Sequence, residues 1–264
     1  MVTACFYTGV EFELMVRHTR KIAAAALLLL AGLPAHAQQQ PAARPKAVVE
    51  LFTSQGCSSC PAADALFVEL AKDPRLITLT LPVTYWDYLG WKDTLGQEVF
   101  GKRQKLYAKA RGDGQIYTPQ AVVNGAAHIV GSDKGGIDKL VQEQGKDGFS
   151  VKVDLVEADG ALRVALAAAP YPSEKPAVVW LLQVSRTASV PIERGENSGK
   201  TVTYANVVRG ISRIGEWNGA AAILSVPLET VRSAAKADSY VVLVQGDLYA
   251  RQSTILGAAR GPAK

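Results

Sequence analysis

The spacing of apolar residues in the first half of the chain predicts strands and helices in turn. A mostly apolar run at 47–53 precedes a segment at 57–72 with helically spaced apolar residues, and a second apolar run follows at 76–83. A strand, a helix and a strand within so short a span predict a right-handed βαβ unit. The other elements predicted before residue 147 are a helix at 94–110, strands at 116–123 and 126–130 joined by an Asn124-Gly125 turn, and a helix starting at Ser132 or Asp133.

The pattern changes beyond residue 147, where short apolar runs are separated by turn signals such as Asp159-Gly160. Several short strands of this kind predict an antiparallel structure, interrupted by one short helix at 228–235. The predicted fold class is therefore an α/β domain at 47–147 followed by an antiparallel β-sandwich-like domain at 148–264. The strands of the second domain are predicted at 149–156, 162–167, 178–185, 201–214, 220–226, 240–246 and 252–256.

The N-terminal region has the pattern of a secretory signal peptide. Basic residues precede an apolar run at 22–33, and a small-x-small sequence that ends at Ala37 follows it. This order predicts that residues 1–37 are a signal peptide cleaved after Ala37. Residues before Met15 are interpreted as an upstream extension from a mis-assigned start. The polar, proline-containing residues 38–46 are predicted to be a flexible leader.

A cleaved signal predicts that the mature protein lies in the periplasm or outside the cell. The apolar run is short for a bilayer crossing, so a membrane anchor is the lesser alternative and no stable membrane span is expected after cleavage. The net charge of +5 is spread along 264 residues, which argues against nucleic acid as a partner. These features do not define an oligomeric state.

Signal removal leaves two cysteines, Cys57 and Cys60, because Cys5 lies in the removed segment. A pair in an oxidising compartment can form a disulfide. A bridge that closes so short a loop removes little unfolded-state entropy, so chemistry is favoured over an inert structural bridge. The pair follows a strand and enters a predicted helix, where a thiolate is stabilised. Cys57 is therefore predicted to attack and Cys60 to resolve, with the Cys57–Cys60 disulfide as redox centre and no other cofactor.

The dipeptide Thr118-Pro119 strengthens the redox interpretation. It precedes an apolar strand and the Asn124-Gly125 turn. In the thioredoxin fold, a cis-proline in this order lies beside the dithiol and leaves the preceding backbone free to pair with a substrate strand. The Thr118–Pro119 bond is therefore predicted to be cis, and both residues are predicted to bind substrate.

Glu50 and an aromatic stretch complete the predicted site. Glu50 lies in the apolar run, where a carboxylate is costly to bury without a partner or a function. In thioredoxins an acid near this place handles protons for the resolving cysteine, which makes Glu50 a catalytic candidate beside the alternative of a hydrogen-bonded carboxylate. In the segment 85–92, Trp86 is a candidate substrate-binding wall over the dithiol, oriented by Asp87, although core packing is equally consistent with its aromatics.

Two further features, His128 and the segment 194–200, have smaller predicted roles. His128 with Cys57 and Cys60 offers an alternative Cu(I) site, but a structural zinc site needs more ligands than this chain supplies, so no metal is predicted. The polar, glycine-containing segment 194–200 is interpreted as a hairpin loop, with contact to the first domain or a substrate as the alternative.

Four motifs occur in one order along nearly all of the mature chain: VELFTSQGCSSCP, YWDYLGWKD, YTPQAVVNG and GENSGKTVTYANVVRG. In these the chain resembles the secreted bacterial thioredoxin-like proteins grouped as domain-of-unknown-function family 1223. The resemblance implies a thioredoxin-like domain followed by a β-rich domain, and it implies no particular substrate. Ser58-Ser59 stands where thioredoxins have Gly-Pro, so the reduction potential is not implied either.

The predicted function is that of a thiol–disulfide oxidoreductase acting on protein or small thiol and disulfide substrates. One alternative is a binding or assembly protein that keeps a thioredoxin scaffold without redox turnover. A copper-handling protein that uses both cysteines and His128 is the other.

Overall fold

Two buried strands, β1 (Ala47–Thr53) and β2 (Leu76–Pro82), lie in parallel and are connected by helix α1 (Cys60–Leu70). The structure is a computed structural model and describes residues 44–261. The predicted signal peptide and the first part of the predicted leader lie outside the described residues. All seven residues of β1 are buried, which fits a strand that has neighbours on both sides and layers on both faces.

The remaining elements follow the predicted order. No helix among residues 44–261 has the length and apolar character needed to cross a membrane. The helices are α2 (Glu98–Arg111), α3 (Lys134–Gln144) and the short α4 (Leu228–Val231). The strands are β3 (Gln120–Val123), β4 (Ala127–Val130), β5 (Val153–Ala158), β6 (Ala161–Leu166), β7 (Ala177–Pro191), β8 (Thr201–Trp217), β9 (Ala222–Pro227), β10 (Ser239–Gln245) and β11 (Ile255–Arg260).

One large sheet contains strands from both sides of the predicted domain boundary at residue 147. Its order is β11-β10-β7-β8-β2-β1-β3-β4, and a smaller sheet has the order β5-β6-β9. The two halves meet where Thr80 of β2 pairs with Val207 of β8. The Thr80 hydroxyl donates to the Ala205 carbonyl at 2.7 Å, and the Asn206 amide donates to the Thr78 hydroxyl at 2.9 Å. Strand β8 thereby lies next to the βαβ unit that carries the cysteines.

Apolar side chains pack on both faces of the large sheet. On one face of β1, Val49 and Leu51 pack with Phe67 of α1, and on the other face Phe52 packs with Tyr107 of α2. The smaller sheet packs on β7 and β10 through a third cluster. These layers hold α1 and α2 on opposite faces of β1.

Both predicted two-residue hairpin turns are present. Asn124 and Gly125 have φ of 47° and 68°, and Asp159 and Gly160 have φ of 51° and 75°. Positive φ at both central residues is the conformation that joins antiparallel strands with the natural twist. Asn124 also accepts a hydrogen bond from the Val48 amide at 2.8 Å, which ties the first turn to β1.

Strands β7 and β8 are longer than their apolar runs predict. They stay paired out to Pro191 and Thr201, well beyond the predicted end of β7 at residue 185. The extension pairs through backbone hydrogen bonds while its side chains are partly exposed, so hydrophobic alternation does not reveal it. The extended hairpin carries its connecting loop to the cysteines.

Candidate functional site

The two cysteines form a disulfide in the turn between β1 and α1. Their Cα atoms lie 5.4 Å apart, a usual separation for a disulfide. The helix begins at Cys60, three residues later than the predicted start at Cys57, because residues 54–59 form turns closed by the bonds Cys57 N to Ser54 O and Cys60 N to Cys57 O. Cys57 is 4% exposed and Cys60 is fully buried, so Cys57 is the sulfur nearer to solvent.

The Thr118–Pro119 peptide bond is cis, as predicted. Pro119 and Ala63 of α1 both pack against Gly131. A β-carbon added at Gly131 would lie 3.1 Å from Cβ of Pro119 and 3.3 Å from Cβ of Ala63, so Pro119 lies beside α1. Ala63 is one helical turn after Cys60. The structure therefore brings the cis-proline to the helix that begins at Cys60.

Trp86 links the cysteine turn to Thr118. Its indole N–H donates to the Thr118 hydroxyl at 2.7 Å. A β-carbon on Gly56 would lie 3.1 Å from the Trp86 carbonyl oxygen, so the tryptophan backbone closely approaches the residue before Cys57. Tyr88 stacks on Trp86 with ring centroids 6.1 Å apart and is 75% exposed. Trp86 and Tyr88 therefore form a partly exposed aromatic pair that joins the residue before Cys57 to Thr118.

Asp87 forms a hydrogen bond within the segment that connects β2 to α2. Among the described residues it has no contact with the disulfide. Its carboxylate accepts a hydrogen bond from the Asp93 amide at 3.1 Å. Asp93 in turn accepts from the Gln55 amide at 2.8 Å. Burial raises the pKa of Asp93 to about 6, and the Asp87 charge adds to the rise, whereas the hydrogen bond from the Gln55 amide and other backbone hydrogen bonds to the Asp93 carboxylate lower it. Asp87 thus bonds the backbone of Asp93, and the Asp93 carboxyl bonds the backbone two residues before Cys57, whereas the predicted orientation of the aromatic side chains by Asp87 stays a prediction.

Glu50 is not brought together with the cysteines. It is fully buried and forms an ion pair with Arg103, with Oε1 at 2.7 Å from Nε, and it also accepts from the Tyr107 hydroxyl. Gln245 of β10 accepts from Arg103 at 3.0 Å. Neighbouring residues of a strand point to opposite faces, so Glu50 faces α2 while Leu51 faces α1. Glu50 is a hydrogen-bonded structural carboxylate on the face of β1 away from α1.

A buried acid on the cysteine side is Asp64, which the motif reasoning missed. It is 2% exposed and lies one turn after Cys60 on the same helix face. The Thr53 hydroxyl donates to its Oδ1 at 2.7 Å, whereas its Oδ2 has no hydrogen-bond partner among residues 44–261. Burial raises the pKa of Asp64 to about 8. The sequence signal that could have identified Asp64 is a carboxylate among the helically spaced apolar residues of the predicted helix at 57–72.

Tyr204 of β8 adds a second unsatisfied polar group near Asp64. Its ring is 1% exposed, and its hydroxyl has no hydrogen-bond partner within the described part of the chain. Burial raises the pKa of Tyr204, and the charges of Asp64 and Asp93 raise it further. The buried side of the disulfide turn therefore holds groups that can keep a proton at neutral pH.

The loop between β7 and β8, residues 192–200, covers the cysteine turn, and we call it the clamp loop. The Asn197 side-chain amide donates to the Gln55 carbonyl at 2.9 Å and to the Cys57 carbonyl at 2.8 Å. The Ser58 amide donates to Oε2 of Glu196 at 3.1 Å. The sequence favoured a plain hairpin loop for this segment, but the alternative of a contact with the first half of the chain is what the structure has.

Replacing Asn197 by alanine should destabilise the oxidised protein by about 1–3 kcal/mol, because two buried carbonyls lose their donor. It should also speed reduction of the disulfide by a small thiol, because the clamp loop loses its buried anchor. Denaturant unfolding and the rate of reduction measure these effects. Ser198→Ala removes an exposed hydroxyl from the same loop and should change stability by less than about 0.5 kcal/mol. Equal stability of the two variants would contradict the anchoring role.

His128 lies outside this site. Its Nδ1 is 2.8 Å from the Tyr117 hydroxyl, and its Nε2 is 3.1 Å from Oδ2 of Asp113. Burial lowers the pKa of His128, and the nearby Arg111 charge lowers it further. Within residues 44–261, no group of three or more His, Cys, Asp and Glu side chains is placed to hold a metal ion. The structure therefore does not assemble the Cu(I) ligand set considered from the sequence.

These observations define a mixed α/β protein with a covered Cys-x-x-Cys disulfide at the start of a helix. The chain belongs to the family described as "Protein of unknown function (DUF1223)", whose model matches residues 48–245. The family predicted from the four motifs is thus confirmed.

Two solved structures resemble the chain. A crystal structure of a protein from Agrobacterium tumefaciens is 30% identical, with a TM-score of 0.71 over 82% of this chain and 94% of that one. HBP35 of Porphyromonas gingivalis is 14% identical, with a TM-score of 0.58 over 83% of this chain and 75% of that one, a likeness of fold. None of the curated proteins compared with the chain matches it.

Proposed function

We propose that the protein is a thiol–disulfide oxidoreductase with a thioredoxin-like arrangement around Cys57 and Cys60. The observation that carries the proposal is the position of Thr118 and Pro119, since Pro119 lies against α1 and Thr118 is joined to the cysteine turn through Trp86. A disulfide at the start of a helix that lies against Pro119, next to the partly exposed Thr118, suits exchange with a cysteine in an extended peptide or with a small thiol. The signal-like N-terminal pattern supports a reaction in the periplasm or outside the cell.

The proposed exchange begins at the more exposed sulfur. A substrate thiolate attacks Sγ of Cys57, the Cys57–Cys60 bond breaks, and the Cys60 sulfur leaves with the electron pair. Asp64, whose pKa of about 8 keeps it protonated at neutral pH, supplies a proton to that sulfur. A second substrate thiolate then attacks the substrate sulfur of the mixed disulfide and releases Cys57. Two electrons pass from the substrate dithiol to the protein disulfide, and the reverse sequence oxidises the protein.

Replacing Cys60 by alanine tests the proposal directly. Without Cys60 a mixed disulfide formed on Cys57 cannot be resolved within the protein, so a partner thiol should stay attached and be visible by mass spectrometry under non-reducing conditions. The matched variant Cys57→Ala keeps only the fully buried Cys60 and should trap much less. The absence of any adduct on Cys57, together with no thiol oxidation or disulfide reduction by the wild type, would contradict redox turnover.

The low exposure of both cysteines favours one second candidate. A disulfide held under the clamp loop also suits a binding or assembly protein in which the bridge only supports the fold. In that case the double variant Cys57→Ser with Cys60→Ser would keep the biological role intact. Loss of the role in a double variant that still folds supports the redox proposal instead.

A further inference from the structure

Glu196 is the clamp-loop residue that reaches the segment between the two cysteines. Its Oε2 accepts from the Ser58 amide at 3.1 Å, and Ser58 follows Cys57 directly. The neighbouring Asn197 is 1% exposed and is bonded to the Cys57 carbonyl. The buried hydrogen bonds of Asn197 therefore hold the carboxylate of the neighbouring Glu196 against the cysteine turn.

A carboxylate in this place acts differently on the two redox forms. The disulfide is neutral, whereas reduction creates a thiol on Cys57 that ionises to a thiolate. A nearby negative charge disfavours the thiolate, and Glu196 also takes up an amide N–H of the turn. The reduced form is thereby made less stable relative to the disulfide.

Several other charged or titratable groups surround the cysteines. They lie on α1, on the segment after β2, on β8 and on the clamp loop. The Asp64 and Asp93 carboxyls are buried, and their raised pKa values keep Asp64 mostly and Asp93 partly protonated at neutral pH. The groups are Asp64, Asp87, Asp93, Tyr204 and Lys200, whose ammonium donates to Oδ1 of Asn197 at 2.9 Å.

We propose that Glu196 is a positioning residue that shifts the Cys57–Cys60 equilibrium toward the disulfide by opposing ionisation of Cys57. The inference rests on the proposed function, since it concerns how readily the couple accepts two electrons. The β7–β8 hairpin, which comes from the second half of the chain, thus adjusts a redox centre carried by the first half.

The test compares Glu196→Gln with Glu193→Gln. Glutamine keeps an oxygen that can accept from the Ser58 amide but removes the charge. Glu193 is an exposed carboxylate on the same loop with no described side-chain contact to the cysteine turn, so its replacement controls for net charge. Both changes are made in the mature chain, which lacks Cys5, with and without Cys60→Ala, so that Cys57 is the one thiol left in the Cys60→Ala background.

Two measurements are needed. The pH dependence of alkylation by iodoacetamide gives the thiolate midpoint, the pH at which half of Cys57 is ionised. Equilibration with dithiothreitol gives the equilibrium constant for reduction of the protein disulfide. In this reaction the protein becomes a dithiol and dithiothreitol becomes its cyclic disulfide. In Glu196→Gln the ionisation constant of Cys57 should rise about threefold, as for an exposed charge pair, and the increase should shrink at high salt.

The effect of Glu196→Gln on the equilibrium constant with dithiothreitol should depend on pH. Below the thiolate midpoint the reduced protein carries a neutral thiol, so wild type and Glu196→Gln should have the same constant. Above the midpoint the variant should favour the dithiol by the same factor that separates the two ionisation constants. A purely structural role of Glu196 would change the constant equally at every pH.

Equal thiolate midpoints in wild type and Glu196→Gln, or an equal shift in Glu193→Gln, would overturn the inference. The thiolate midpoint requires no substrate, so this result is separate from the test of redox turnover. A shifted midpoint in a protein that traps no partner supports the inference and counts against the proposed function. An unshifted midpoint in a protein that traps partners contradicts the inference and supports the proposed function.

Discussion

Replacing Asp64 by asparagine should slow resolution of a mixed disulfide on Cys57 about 100-fold, because Cys60 loses its proton carrier. Attack by Cys60 requires removal of its proton, and Asp64 is the buried carboxyl one turn away on the same helix face. In the wild type the rate should rise as the pH passes the pKa of Asp64, about 8, and this inflection should disappear in Asp64→Asn. Release of glutathione from a preformed Cys57 adduct, followed across pH, measures both effects.

The same substitution should change stability in a pH-dependent way. The pKa of Asp64 rises from 3.8 to about 8 on folding because of burial, so between these values the folded protein holds a proton that the unfolded chain releases. The free energy of unfolding of the wild type therefore falls as the pH rises through this window. Relative to wild type, Asp64→Asn should gain on the order of 3 kcal/mol between pH 5 and 8.

Glu69→Gln is the matched control, since it makes the same chemical change at an exposed position of α1 where Glu69 pairs with Lys72. It should leave the resolution rate and its pH profile unchanged. Identical profiles for wild type and Asp64→Asn would remove Asp64 from the proposed mechanism, even if Cys57 still traps partners.

Replacing Arg103 by methionine should destabilise the protein by about 3–5 kcal/mol, because it leaves the Glu50 carboxylate buried without its counter-charge. Glu50 is fully buried and Arg103 is 4% exposed. Burial by itself lowers the pKa of Arg103, but the adjacent Glu50 and Tyr107 raise it overall, so Arg103 carries its charge in the folded protein. Denaturant unfolding measures the loss, and thiol exchange at Cys57 should remain in the folded fraction.

The double variant Arg103→Met with Glu50→Gln should recover much of that loss, because no unpaired charge remains. Lys102→Met removes a positive charge from an exposed position of the same helix and should change stability by less than about 0.5 kcal/mol. A loss in Lys102→Met as large as that in Arg103→Met would show that the helix charge, and not the buried pair, is responsible.

Two of the site features could be predicted because their signals are local. The Cys57–Cys60 spacing between a strand and a helix needs only neighbouring residues to be recognised, and so does a proline that precedes an apolar strand. The cis Thr118–Pro119 bond and the Asn124-Gly125 turn were predicted for this reason. The helix start was misplaced by three residues, because turn bonds between Ser54 and Cys60 compete with helix hydrogen bonds.

The choice between the two buried acids required the tertiary structure. Both Glu50 and Asp64 interrupt apolar patterns, and each alone suggests a functional carboxylate. Strand alternation turns Glu50 toward Arg103 on α2, whereas the helix repeat places Asp64 on the face of Cys60. Which face of β1 receives which helix depends on packing of the whole sheet, which no short motif encodes.

By itself, the sequence determined the order of elements, the family, the cysteine pair and the cis-proline, since these follow from propensity, turn chemistry and spacing within short segments. The tertiary structure decided that β8 joins β2 and that the clamp loop covers the disulfide. Glu196 and Ser58 are 138 residues apart in the chain. Such contacts are selected by the packing of complete layers, so their partners become visible only when the sheet is assembled.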